Sequence, residues 1–299
     1  MEGEGTMFTN KKGLIILAVL LVTSLVLTAC TKNVTNTTST NERGYANPQS
    51  IVTATELKNM DNVVIVDFTE KGGKYIPGAV RITRKESRKE LDGVPGMNIN
   101  KEEFEALMSK SGIQKDDIVV IYDGDQELWA SRLWWTMKVY GHEDVRLLDG
   151  GLDAWLSADY EIKGEADKRE TTKYEAEEAN KDLVATLDEI EKSFNDDSMV
   201  VLDTRSDGEW KDGRIPGAIH IEWTNALNKD GTFKGADALK SIYEEKGITS
   251  DKVVIPHCKS GVRATHSLFV LSELLGYENV QNYDGSWVEY KDCGLEIEK

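Results

Sequence analysis

One cysteine in this chain stands where chemistry is easy to arrange. In "VVIPHCKSGVRATHSLFVLSELLG", 253–276, a β-branched run ends, Cys258 follows, and a short turn holding Lys259, Ser260, Gly261, Val262 and Arg263 leads into a helix-like segment. A strand–turn–helix of this kind places the cysteine at the carboxyl end of a strand, where open α/β sheets bind ligands. Gly261 can adopt backbone conformations that other residues resist, so the turn can curl its amides toward the sulfur. The helix N-terminus, Lys259 and Arg263 all favour thiolate over thiol, and the thiolate is the nucleophile. A cysteine that merely ended a buried strand would not call for two cations in the turn. His257 does not complete a Cys–His pair, because adjacent strand residues point to opposite faces. His257 is expected to be a packed or partly exposed imidazole; His266 lies one to two turns into the following helix, and with Cys258 the two histidines lack the regular spacing of a zinc site.

The elements that must position Cys258 occur twice. "NVVIVDFTEKGGKYIPGAVRI" from Asn62 parallels "MVVLDTRSDGEWKDGRIPGAIHI" from Met199. "IVVIYDGDQELWASRLWWTMKVYGHEDVRLLDGGLDAW" from Ile118 aligns without gaps with the segment from Val253, so the chain is a tandem duplication. Short apolar runs alternate with helix-period segments in each copy, which predicts an α/β fold with a mainly parallel sheet flanked by helices on both faces. The first copy carries Asp123 in place of Cys258, followed by acids and no cation in "GDQELW". It is predicted to be catalytically silent and to help form the cleft between the halves. Trp134, Trp135 and the leucines of 268–275 are expected in the core. The first domain is placed at 46–165, a charged solvated linker at 166–180 and the second domain at 181–299.

Taken together, "DTR" (203–205), "RIPGAIHIEW" (214–223), "DGTF" (230–233), "CKSGVR" (258–263) and "NYDGSW" (282–287) resemble the tandem-domain rhodaneses, the thiosulfate sulfurtransferases. The resemblance runs from about Tyr45 to the C-terminus and implies two rhodanese-like domains. It implies double displacement: Cys258 takes the outer sulfur of thiosulfate as a persulfide, sulfite leaves, and cyanide or a thiol removes the sulfur. It assigns substrate contacts to Arg205, Lys259 and Arg263, beside the loop residues Ser260, Gly261 and Val262, and calls for no metal or organic cofactor. Ser260 stands where thiosulfate-specific members often carry a basic residue, which weakens the expected grip on the sulfite group. Related mercaptopyruvate sulfurtransferases usually carry Gly-x-Gly-Val-Thr after the cysteine, and related phosphatases use C-x5-R. The C-x4-R spacing here makes a loop suited to one sulfur atom rather than a phosphate. Mercaptopyruvate transfer and a sulfur-carrier module without turnover remain the alternatives.

The formal charge of −17 argues against nucleic acid as a partner. It also means that an anionic substrate needs a locally positive site. At the other end, Lys11 and Lys12 precede an apolar stretch, 14–27, and "LTAC" ending at Cys30 resembles a bacterial lipoprotein box. The expectation is a signal peptide over 1–29, a diacylglycerol on Cys30, and a flexible polar tether over 30–45. The protein would then be lipid-anchored in the cell envelope, facing outside the cytoplasm; an uncleaved apolar anchor is the alternative. Cys293, the third cysteine, is read as independent of Cys258.

Overall fold

The computed structural model describes residues 40–299. The strands are β1 (Ile51–Val52), β2 (Val63–Asp67), β3 (Ala79–Arg81), β4 (Arg88–Leu91), β5 (Val94–Asn98), β6 (Ile118–Tyr122), β7 (Val145–Leu148), β8 (Val184–Ala185), β9 (Met199–Asp203), β10 (Ile219–His220), β11 (Val253–His257) and β12 (Asn282–Tyr283). The α-helices are α1 (Ala54–Lys58), α2 (Lys101–Lys110), α3 (Leu128–Val139), α4 (Gly151–Ser157), α5 (Leu187–Ser193), α6 (Asp207–Asp212), α7 (Ala236–Glu244), α8 (Val262–Phe269) and α9 (Ser286–Asp292). β2, β6, β9 and β11 are the β-branched runs of the two copies. They are buried along most of their length, as parallel strands covered on both faces must be.

The first half forms a parallel sheet in the order β1-β7-β6-β2-β3. In the second, β10-β9-β11 and β12-β8 are joined where Val254 donates to Asn279 O and accepts from Gln281 N through its carbonyl. The resulting order β8-β12-β11-β9-β10 repeats the first sheet strand for strand. Helix starts repeat too: Thr53 with Glu56 and Thr186 with Glu189 each close a capping box at the first helix of their half.

α3 and α8 pack against each other between the halves. α3 is apolar on nearly every side, and Trp134 and Trp135 are buried, Trp134 meeting Phe269 edge-on at 5.0 Å. The antiparallel β4–β5 hairpin belongs to the first half and reaches across to the second.

Two expectations about the connecting segments need correction. Residues 40–45 are not loose tether: Thr40–Arg43 form a 3-10 turn, Tyr45 is buried, and Arg43 pairs with buried Asp149. The segment 166–180 is largely exposed but is pinned by Tyr174, which is buried and bonded to His142 Nδ1 at 2.9 Å. Backbone bonds from Thr172 N to Ser109 O (3.0 Å), Glu177 N to Tyr140 O (3.2 Å) and Asn180 N to Val139 O (2.8 Å) help lay it along the first half. Residues 1–39, with the apolar stretch and Cys30, lie outside the described residues. Among the described residues, no helix is long and apolar enough to cross a membrane.

Candidate active site

Cys258 sits directly after β11, buried, with α8 starting four residues later. The loop between them is held from below by the start of α9. Trp287 N donates to Cys258 O (3.0 Å) and Val288 N to Lys259 O (3.2 Å). The Ser286 hydroxyl accepts from the amides of Cys258 (3.2 Å) and Gly261 (2.9 Å) and donates to Tyr283 O (2.7 Å). Ser286 does this from a left-handed backbone, φ +51°, which costs a non-glycine residue energy. Its counterpart in the first copy, Gly151, has φ +52° and carries no hydroxyl. Ser286 is therefore a positioning residue that the sequence reading passed over. Its only signal was the change from "DGG" to "DGS" between the copies.

Gly261 has φ +74°, and a Cβ there would lie 2.7 Å from Asp284 Oδ1 and 2.8 Å from Arg132 Nη1. The glycine is needed both for the turn and for the close approach of the first domain. Arg263 directs its guanidinium back toward Cys258 and is clamped by Glu209, with contacts of 2.6 and 2.8 Å. The Arg263 hydrogen bonds in turn hold the Glu209 carboxyl down at about 2, so the pair is ionised at any physiological pH. Lys259 is exposed at the rim of the loop.

Arg205 does not lie open to a substrate. It is 2% exposed, and its Nε and Nη2 are spent on Asp203 and on Gly213 O, with the guanidinium 4.3 Å over the Trp287 ring. Its part is to brace β9 and α9 beneath the loop. His257 is buried with Nε2 3.5 Å from Asp203 Oδ2, and burial holds its pKa below the usual range. His266 is buried between Phe233 and Trp223, and desolvation alone lowers its pKa to about 3. Cys293 is exposed.

The duplicate shows what such a loop can hold. Asp123 accepts four amides in its own turn: Asp125 (2.7 Å) and Glu127 (3.1 Å) on Oδ1, Trp129 (2.7 Å) and Ala130 (2.8 Å) on Oδ2. By the gapless alignment, Ser260, Val262, Ala264 and Thr265 stand in the places of these four donors, but the Cys258 turn is shaped differently: α8 begins at Val262, one position earlier than α3, and Thr265 N donates to Gly261 O at 3.3 Å. An aspartate oxygen is two bonds from Cβ, as the outer sulfur of a cysteine persulfide is.

A scan of domain families matches "Rhodanese-like domain" twice, over residues 53–158 and 186–293. The chain belongs to the rhodanese family. A curated relative from Saccharopolyspora erythraea, named "Putative thiosulfate sulfurtransferase", is 39% identical over 261 residues, which span 80% of this chain and 92% of that protein. The "Sulfur carrier protein TtuD" of Thermus thermophilus is 34% identical over 283 residues, 86% of this chain and 99% of that one. Among solved structures, Escherichia coli SseA, a 3-mercaptopyruvate sulfotransferase with the rhodanese fold, superposes with TM-score 0.71 at 25% identity, covering 80% of this rhodanese and 99% of SseA.

Proposed function

We propose that this rhodanese is a thiosulfate sulfurtransferase acting through Cys258. The Cys258 thiolate attacks the outer sulfur of thiosulfate. The S–S bond of the donor breaks, and sulfite departs with the bonding electrons. The persulfide anion then lies among the loop amides, with Arg263 facing it, and a cyanide ion or thiolate removes its outer sulfur and restores the Cys258 thiolate. Preorganised amides and a fixed cation stabilise charge without reorganising during the step. The observation that carries this reading is Cys258 itself, buried at the mouth of α8 with the Glu209-clamped Arg263 guanidinium turned toward it. Lys259 and Arg263 favour an anionic donor, and relatives named for thiosulfate support the choice over mercaptopyruvate. A second reading, delivery of the persulfide sulfur to a partner protein, draws support from the likeness to TtuD.

The direct test supplies the chain from Thr37 onward with thiosulfate and cyanide and measures thiocyanate. The expected result is turnover in the native chain and none in Cys258→Ser. Mass spectrometry after thiosulfate alone should find one added sulfur on Cys258; a sulfur elsewhere defeats the assignment. We also hold to a lipid anchor on Cys30, on sequence grounds. Mass spectrometry of the membrane-extracted protein should find a chain that begins at Cys30 and carries a diacylglycerol; an unmodified chain that retains 14–27 argues against the lipid anchor.

A further inference from the structure

The Lys259–Ser260 edge of the loop forms one wall of a cavity of about 480 Å³, and the opposite wall is the β4–β5 hairpin of the silent first domain. The lining brings Lys85, Arg88 and Lys89 from the first domain to Lys259, against a single acid, Glu90. Four cations converge here on a chain of net charge −17. Lys89 is engaged by Glu103 at 2.8 Å. Among the described residues, no carboxylate lies within ion-pair distance of Lys85, Arg88 or Lys259, the first and last being exposed.

Arg88 is the telling member. It is half-buried and stacks 4.7 Å from the ring of Trp129, which Arg84 also approaches at 4.5 Å. Burial and the neighbouring Arg132 and Arg84 lower its pKa. A guanidinium desolvated among other cations is costly unless something anionic comes to it. The hairpin is held in place: Gly96 O accepts from Arg132 Nη2 (3.2 Å), Asn98 N donates to Asp284 Oδ2 (2.8 Å), and a Cβ on Gly96 would stand 3.7 Å from Ser260 Cβ. A cavity of this size lies in the range of organic-ligand pockets, roughly 300–1,000 Å³, larger than five-atom thiosulfate requires.

We propose that this two-domain basic cavity binds the sulfur acceptor, and that the acceptor is a small organic thiol carrying at least two carboxylates. The inference rests on the sulfur-transfer reading and assigns Lys85 and Arg88 of the silent domain as specificity-determining residues. The acceptor thiolate attacks the outer sulfur of the Cys258 persulfide. That S–S bond breaks, a new one forms to the acceptor, and the Cys258 thiolate leaves with the electron pair, so no oxidant or reductant is consumed.

The test uses glutathione, with two carboxylates, against uncharged 2-mercaptoethanol, in the native chain and in Lys85→Glu and Arg88→Gln. Persulfide formation from thiosulfate should be unchanged in both variants. The KM for glutathione should rise about fivefold in Lys85→Glu and about tenfold in Arg88→Gln, while that for 2-mercaptoethanol moves less than twofold. The native preference for glutathione should also weaken with added salt, because exposed charges are screened. Lys85 is a surface residue, so its variant carries the test if Arg88→Gln fails to fold. S-methylglutathione, which cannot accept sulfur, should bind the native chain and lose affinity in the variants, a readout independent of turnover. Equal use of glutathione by native and variant chains, or sulfur accepted only by a protein carrier, overturns the proposal. Absence of any Cys258 persulfide defeats the sulfur-transfer reading instead, and binding of S-methylglutathione then decides the cavity on its own.

Discussion

At the scale of single residues, the two copies differ most where charge is handled. Arg263, clamped by Glu209, turns its guanidinium on Cys258. Replacing it with Gln should lower the rate constant for persulfide formation about 100-fold, the loss typical of one preorganised donor, as read by rapid-mixing kinetics with thiosulfate. The first copy has the opposite problem. Glu127 is fully buried beside Asp149 and Asp123, and burial, reinforced by these two neighbours, raises its pKa well above the carboxylate range. The folded protein therefore holds the Glu127 proton more tightly than the unfolded chain does. The stabilisation is full below the unfolded pKa of about 4.3 and is lost as pH rises through the folded value. Glu127→Gln should leave the denaturation midpoint unchanged near pH 4 and raise it at pH 8. His266 has the reverse sign. With its pKa lowered to about 3, its contribution is present above the unfolded value and fades as pH falls. Its imidazole NMR signals should still report the neutral ring at pH 5.

At the scale of elements, the loop between β11 and α8 is held by α9, and Ser286 is the fastening. Ser286→Ala removes two accepted amide bonds while the left-handed backbone stays strained. Persulfide formation should slow by about tenfold and the protein should lose about 1–2 kcal/mol, measured by stopped flow and by denaturant titration. The corresponding cut in the first copy, Asp123→Ala, strands four amides and should cost about 3 kcal/mol or more without touching turnover directly. The sheets were legible in advance because their signal is local: β-branched runs such as 199–203 and 253–257 can be little else. The Cys258 turn was legible because the duplicate supplied a control for it. Arg205 was not, since its charge is absorbed by Asp203 two residues away and by Trp287 from the far end of the domain. Nor was Tyr174, whose partners Ser109 and His142 lie in distant elements. Where a side chain's role is decided by a long-range partner, residue type alone does not reveal it.

At the scale of the whole molecule, the halves are joined by a repeated device. Asp284 accepts Asn98 N from the first domain at 2.8 Å, and Asp149 accepts Phe233 N from the second at 2.9 Å. The two aspartates are equivalent in the duplication, and each accepts a backbone amide from the other half. Each aspartate also meets an arginine, Asp149 with Arg43 and Asp284 with Arg132, and the second pair is almost wholly buried. Arg132 comes from α3 of the first domain and reaches the edge of the Cys258 loop at Gly261. Removing one partner of a buried pair strands the other, so Arg132→Met should destabilise the protein by about 3–5 kcal/mol. Asp284→Asn in the same chain should recover part of that loss, because the stranded charge is gone while an acceptor for Asn98 N remains. Denaturant unfolding of the native chain, both single variants and the double variant gives the coupling directly. A coupling near zero would mean that the Arg132–Asp284 pair adds nothing to the other contacts between the halves. A coupling of more than about 1 kcal/mol makes the first domain a structural part of the Cys258 loop, since Arg132 then ties Asp284, and with it the start of α9, to the turn that carries Cys258.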